Sequence, residues 1–281
     1  VARTSTEHGS GLNGERGARF AASHLPPAWR THRLLLGDRS RGAVVAVHGD
    51  DAAVLVELDV GRHVAYGVGE AGRARALLAR VLDGAAPDWV SLPRLDGGPA
   101  GVVGAPDGPR PAPEDDLPGP LAAAYEPATA WDWLALERSR VPASSAVVEA
   151  LDPVADEGRI RDCLAEANPS TQADPTSPGE AGWFGVREDG RLVGVVGAST
   201  RAGDPAGADL SWHLHGLGVR PDARRRGLGA ALTGTAAAAG VAAGADWVSL
   251  AMFASNGAAR RVYERLGFTV DARFSSYRRR G

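Results

Sequence analysis

The sequence predicts an α/β protein built from two similar halves, and three observations carry that expectation. Short apolar runs alternate with helix-length segments along most of the chain. The pentapeptide Asp88-Trp-Val-Ser-Leu92 recurs as Asp246-Trp-Val-Ser-Leu250, each time after an Ala-rich helix candidate, as an internal duplication would leave it. Between the two copies, Pro99 to Pro120 holds seven prolines and four glycines in 22 residues, which marks a linker or long surface loop.

The elements follow in order. Residues 1–20 are polar and Gly-rich, with no apolar run, and read as a disordered leader that is neither signal peptide nor membrane span. Ala43–Val47 and Ala53–Leu58, joined by Gly49-Asp50-Asp51, read as a hairpin, and Arg62–Val68 extends the sheet. Ala71–Leu82 is a helix candidate and Asp88–Leu92 a strand ended by Pro93. Leu121–Val141 contains Trp131-Asp-Trp133, whose commonest explanation is packing between halves, with a substrate groove as the alternative.

The second half opens with a strand at Ala146–Leu151 and a helix at Pro153–Ala167, with Asp152 as N-cap and Pro153 in the first turn. Asn168–Glu180 reads as a loop. Ala181–Arg187 and Leu192–Thr200 flank Glu188-Asp189-Gly190 as an antiparallel pair, and Leu210–Val219 is the next strand. The domain division expected is 1–20 leader, 21–145 N-terminal domain containing the Pro-rich stretch 96–120, and 146–281 C-terminal domain.

Composition narrows the function classes. With 281 residues and 44% hydrophobic content the chain can bury a sizeable core. A net charge of -3 disfavours nucleic-acid binding driven by bulk charge. Cys163 is the only cysteine, so no internal disulfide forms, in keeping with a cytoplasmic location, and it reads as a core thiol. No His/Cys cluster has metal-ligand spacing, and Gly-x-Ser-x-Gly is absent. Gly67-Val-Gly69-x-x-Gly72 is treated as chance, and Arg278-Arg-Arg280 as a solvated tail.

One stretch points to chemistry. Val219 to Ala230, with Arg224-Arg225-Arg226-Gly227-Leu228-Gly229 at its centre, joins a strand to the helix candidate Leu228–Ala243. A helix N-terminus offers free N–H groups and a favourable dipole to a diphosphate, glycines permit close backbone approach, and arginines add charge-assisted hydrogen bonds. The pattern Val219-x-Pro221-x-x-Arg224-x-x-Gly227-x-Gly229 resembles the coenzyme A signature of the GNAT (Gcn5-related N-acetyltransferase) superfamily. Asn256-Gly-Ala-Ala-Arg260-Arg-Val-Tyr263-Glu-Arg-Leu266-Gly267-Phe268 resembles the later motif of the same family.

The resemblance implies tandem GNAT-like domains, each a mixed, mostly antiparallel sheet flanked by helices. The catalytic site falls in the C-terminal half, and the N-terminal half is a copy whose phosphate cradle is degraded and which shapes the acceptor cleft. Acyl transfer is expected from acetyl-coenzyme A, or another acyl-coenzyme A, directly to a primary amine, without a metal. Backbone groups of Leu217, Gly218 and Val219 would hold the pantetheine arm, with an N–H near Leu217 polarising the thioester carbonyl. N–H groups from Arg225 to Ala230, including Arg226, Gly227, Leu228 and Gly229, would hold the diphosphate with Arg224, while Asn256 and Arg260 add contacts. Tyr263 would protonate the leaving thiolate.

For the base, alternation puts Asp209, Ser211, His213, His215 and Leu217 on one strand face if no bulge intervenes, and His213 stands where several family members carry a carboxylate. Gly216 and Gly218 make such a bulge expected. A small-molecule amine is the preferred acceptor. A peptide or protein amine, a longer acyl chain, or a non-catalytic acyl-coenzyme A sensor are the alternatives. The chain is expected to be a monomer or homodimer, with no nucleic-acid or membrane partner.

Overall fold

The computed structural model describes residues 26–30, 32–37, 42–59, 62–81, 87–94, 117, 119–202 and 210–281. The leader 1–20, most of the Pro-rich stretch and Asp209 lie outside the described residues. Two compact units emerge: the first takes the described part of 1–100 and 109–130 together with 274–281, and the second takes 131–273.

In the first unit, α1 (Pro27–Arg30) and α2 (Arg33–Gly37) precede β1 (Gly42–His48), β2 (Ala52–Asp59), β3 (Arg62–Gly69), α3 (Ala71–Val81) and β4 (Trp89–Pro93). β1, β2 and β3 form an antiparallel meander, and the α3 crossover returns the chain to lay β4 parallel to β3. α4 (Gly119–Ala124) begins inside the stretch expected to be irregular, because Pro120 falls in its first turn, where a missing N–H costs nothing. Leu77, Leu78, Val90, Leu92, Leu121, Tyr125 and Tyr277 are among the buried side chains of this core.

The second unit repeats the plan. β5 (Tyr125–Glu137) enters it at Trp131 and is followed by β6 (Glu149–Leu151), α5 (Glu157–Ala167), β7 (Glu180–Glu188), β8 (Arg191–Ala202), β9 (Ser211–Val219), α6 (Leu228–Ala242), β10 (Trp247–Phe253), α7 (Gly257–Arg265) and β11 (Thr269–Arg279). β6 to β9 run antiparallel, and α6 crosses over to β10, parallel to β9. The two recurring pentapeptides thus occupy matching strands. Trp89–Pro93 lies between parallel β3 and an antiparallel segment of β11; Trp247–Phe253 lies between parallel β9 and an antiparallel segment of β5.

Two sequence expectations change. The last residues are no tail: Phe274–Arg278 pairs with Trp89–Pro93, and the Arg280 amide donates to Ala124 O. Phe274, Ser275, Ser276 and Tyr277 are all buried, as a strand covered on both faces requires, and the basic triplet that follows masks it in sequence. The helix expected from Pro153 begins at Glu157. Asp152 Oδ1 accepts from the amides of Val154 and Ala155, which makes a separate turn ahead of the helix.

α5 is fastened to the sheet by Arg220, which is 3% exposed. Its Nε donates to Leu192 O at 2.8 Å, and its two terminal nitrogens pair with Asp162 and Glu166 on α5. Replacing it strands backbone and carboxylate partners. Because both carboxylates are more than a third exposed, water recovers part of the loss, so Arg220→Ala should cost about 2–3 kcal/mol rather than the roughly 3–5 of a fully buried pair. Thermal unfolding should show a drop of about 5–10 °C.

Cys163 on the same helix is fully buried, and burial pushes its thiol pKa above the usual range, with the nearby Arg220 guanidinium opposing. It should therefore give no colour with an aromatic disulfide reagent until the protein is denatured. A fast stoichiometric reaction of the folded protein would contradict this placement.

Candidate active site

β9 and β10 pair only from Ser211 to Leu214 against Trp247 to Leu250. Beyond Leu214 and Leu250 the two strands no longer pair with each other, so the sheet opens between them. On the other side, register with β8 jumps from Gly197↔His215 to Val195↔Gly218. This is a β-bulge, and it leaves Gly216 and Leu217 without a register partner on either side. Gly216 has φ 59°, a left-handed value that glycine adopts without strain.

The bulge was expected from the glycines, and its consequence corrects the face assignment. His213 and His215 stay on the face toward α5, while Leu217 packs with the cluster under α6 that contains Leu214, Leu228, Leu232 and Tyr263. The structure also supplies packing reasons for both glycines. A Cβ on Gly216 would come 2.8 Å from Ala173 Cβ, and one on Gly218 would come 2.9 Å from Ala167 Cβ at the end of α5. Asn168 Nδ2 donates to Leu217 O at 3.2 Å, tying that helix end to the bulge.

After Val219 the chain turns through Pro221–Ala223 and enters α6 by two left-handed residues, Arg225 at φ 64° and Gly227 at φ 80°. Alternating backbone conformations of this kind turn successive N–H groups to one side, as an anion cradle requires. Gly227 is the N-cap of α6 and no side chain caps the helix. A Cβ built on Gly227 or on Gly229 meets nothing within 4 Å. The first amides of this fifteen-residue helix lack intrahelical acceptors, no side chain caps them and nothing crowds the two glycines, so the residues present fit a diphosphate.

Two of the three arginines expected to meet the diphosphate are engaged within the protein. Arg224 Nε donates to Val219 O at 3.0 Å and its Nη2 to Ala167 O at 3.2 Å, so this guanidinium shapes the loop. Arg226 forms a two-pronged ion pair with Glu188, at 3.0 Å on one prong. Among the described residues, Arg225 has no side-chain partner and is exposed beside the cradle. The groups left open for an anion are thus the backbone amides at the start of α6 with Arg225 beside them, while Arg224 and Arg226 hold the loop that presents them.

The later motif folds as a strand-to-helix unit. Asn256 caps α7, its Oδ1 accepting from the Ala259 amide at 2.9 Å. Arg260 pairs with Asp132 of β5, a carboxylate with 0% exposure that sequence reasoning missed. A buried acid one strand away in space and over a hundred residues away in sequence leaves no local signal. Tyr263 is 7% exposed, its ring 5.9 Å from that of Phe268, and burial pushes its pKa up to about 12. Gly267, at φ 95°, closes the helix.

On the α5 face, His213 Nδ1 lies 3.0 Å from Ser249 Oγ of β10. His215 Nε2 lies 3.1 Å from Glu180 Oε1 of β7. The second carboxylate also escaped the sequence reading, since it sits at the end of a stretch read as loop. No group of three or more His, Cys, Asp or Glu with metal-binding geometry occurs among the described residues, and no helix there is long and apolar enough to cross a membrane.

The matching position of the first unit is closed. Gly69 also has a left-handed φ, 99°, just before α3, but a Cβ there would meet Asp51 O at 2.2 Å and Trp29 Cη2 at 2.8 Å. The Glu70 carboxylate accepts from the amides of Gly72 and Arg73 at 2.8 and 2.7 Å, and these donors hold its pKa below the usual range. The helix N-terminus that would receive an anion already holds one of its own.

Comparison with known proteins agrees with the geometry. The model of the acetyltransferase (GNAT) family matches residues 147–268. A GCN5-related N-acetyltransferase from Kribbella flavida has the same fold over 92% of this chain and 97% of its own, at 20% identity and a TM-score of 0.53. A GNAT-family protein from Novosphingobium aromaticivorans is 25% identical over 77% of this chain and 84% of its own, with a TM-score of 0.47. A tandem GNAT protein from the clavulanic acid biosynthesis pathway is 19% identical over 91% and 90%, with a TM-score of 0.46. No curated protein matches the sequence. Residues 147–268 are a GNAT-family acetyltransferase domain, and the chain is an acyltransferase that takes its acyl group from an acyl-coenzyme A.

Proposed function

We propose that the protein is an acetyl-coenzyme A-dependent N-acetyltransferase that acts on the primary amine of a small molecule. The observation that carries this reading is the open cradle at the start of α6, next to a strand that is bulged at Leu217 and parted from its neighbour. Direct transfer needs the thioester held and its carbonyl polarised, the amine delivered neutral and the leaving sulfur protonated.

Amides from Arg225 to Ala230 hold the diphosphate, and the backbone from Gly216 and Leu217, which have no register partner in either neighbouring strand, through Gly218 and Val219 runs along the pantetheine arm and meets the thioester oxygen. Tyr263 gives its proton to sulfur. A phenol with a pKa near 12 remains protonated throughout the working range, so its O–H is always present as a donor to the sulfur as the C–S bond breaks. The proton that the amine nitrogen sheds on attack leaves by way of an imidazole of β9. Arg260 and Asn256 act through the protein, the first by holding Asp132 and the second by starting α7. Glu180 and His215 are only 12% and 21% exposed, an environment that suits a compact amine better than a surface lysine of a folded protein.

The test is thiol release from acetyl-coenzyme A and from a medium-chain acyl-coenzyme A over a panel of polyamines, aminosugars, aminoglycosides, amino-acid amides and lysine peptides, with products weighed by mass spectrometry. Acetylation of a small amine is expected. Transfer only to peptides would replace the acceptor class, and tight binding without turnover on any amine would favour a sensor.

A further inference from the structure

Immediately before the bulge lies a set of polar side chains that neither the cradle nor Tyr263 uses. On the sheet face toward α5, register places Glu180 opposite Ser199 and Ser199 opposite His213. One rung along, Trp183 stands opposite Gly197 and Gly197 opposite His215. Gly197 has no side chain because two rings lie over it: a Cβ would come 2.5 Å from His215 Cε1 and 2.7 Å from Trp183 Cζ2. Those rings meet edge to face, centroids 5.5 Å apart at 76°.

Glu180 Oε1 lies 3.1 Å from His215 Nε2, within ion-pair reach, although Nε2 is itself buried without an aligned hydrogen bond, and among the described residues nothing bonds the opposite ring nitrogen, Nδ1. Close by, Glu180 Oε2, Trp183 Nε1 and Ser199 Oγ are buried without a hydrogen-bond partner. Buried polar atoms left unpaired cost free energy, and three within two rungs point to a polar molecule that completes them. His213 is less suited to move a proton, because its Nδ1 is already engaged by Ser249.

Resting on the acyltransferase reading, we propose that His215, oriented by Glu180, is the base that takes the proton of the acceptor amine. We further assign the acceptor as a small polar amine whose hydrogen-bonding groups satisfy Glu180 Oε2, Ser199 Oγ and Trp183 Nε1. One proton leaves the ammonium for solvent before attack. As the C–N bond forms at the thioester carbonyl, the nitrogen's second proton passes to His215 Nδ1, and the imidazolium that results is stabilised by the Glu180 carboxylate beside Nε2. The C–S bond breaks with its electron pair on sulfur, which takes the proton of Tyr263. The imidazolium then gives a proton back to the tyrosinate, so ammonium and thioester become amide, thiol and one proton.

The titratable groups beside His215 are Glu180 on β7 and His213 on β9. The loop after α5 brings Ala173 against Gly216 and carries Asp174, whose carboxylate is held by Arg161 and Thr176.

The test follows thiol release from saturating acetyl-coenzyme A, using the fastest amine of the panel, or water as acceptor if none turns over. His215→Ala should lower kcat by about a hundredfold, in line with loss of a general base, with acetyl-coenzyme A affinity within about twofold of wild type. The vacated space over Gly197 should let added imidazole restore about tenfold of that loss, a rescue that a structural role would not show. Glu180→Gln should lower kcat by about tenfold. His215→Gln, with its melting temperature measured, guards against a fold defect. Turnover within about threefold of wild type in both His215 variants, or rescue by imidazole of His213→Ala instead, would overturn the assignment alone. Wild-type protein that binds no acetyl-coenzyme A would overturn the reading of the cradle and this base with it.

Discussion

Tyr263→Phe should lower kcat by about a hundredfold or more while leaving acetyl-coenzyme A affinity within about twofold. The substitution removes one hydroxyl from a ring that is 7% exposed and packed against Phe268, so the volume filled in the core stays the same and the fold should persist. What is lost is the proton donor to sulfur, and a positioned acid typically contributes between about a hundredfold and ten-thousandfold. Burial has raised this phenol to about 12, so the wild-type rate should show no alkaline fall from Tyr263 below roughly pH 11. Steady-state kinetics with calorimetry checks both statements. An unchanged kcat would show that water, or another donor, protonates the thiolate.

Removing residues 274–281 should abolish cooperative unfolding of the first unit, although the cut lies at the far end of the chain. Those eight residues belong to that unit and pair with Trp89–Pro93. They bury Phe274 and Tyr277, and the hydroxyl of Ser276 lies 2.7 Å from that of Ser91. Losing two fully buried aromatics costs about 3–5 kcal/mol each, and the ladder goes with them. That sum is comparable to the whole stability of a typical domain, about 5–15 kcal/mol. Hydrogen exchange should show β3 and β4 losing protection while β7 to β9 retain it. Retained protection in β4 would refute the strand's structural role.

The repeat, the hairpins and the glycine-bearing turn that starts α6 were legible because each is written in local residues. Gly190 and Asp189 supply the left-handed turn between β7 and β8, and Gly227 supplies the one that starts α6. The pentapeptide repeat marks two strands whose surroundings then match. The long strand Tyr125–Glu137 and the final strand were hidden, because Pro127, threonine and alanine in one and arginine in the other blur the period of two. Guanidinium partners were hidden for a different reason. Arg224, Arg226 and Arg260 reach across the fold to Ala167, Glu188 and Asp132, and nothing in a linear motif separates an arginine that grips a ligand from one that grips its own loop. Leu217 moved off the histidine face because one bulge shifts every later side chain. The Glu180–His215 pair joins two strands through register alone.

Calorimetric titration with acetyl-coenzyme A, comparing wild type with Gly229→Asp, tests the central claim most directly. The protein leaves room for the new side chain, since a Cβ at Gly229 meets nothing within 4 Å, so the variant should fold and its carboxylate should occupy and repel at the phosphate position. The account predicts one equivalent bound per wild-type chain, because Glu70 fills the matching position of the first unit, and a loss of about a hundredfold or more in the variant. Two equivalents per chain, or undiminished binding by a folded Gly229→Asp protein, would contradict it.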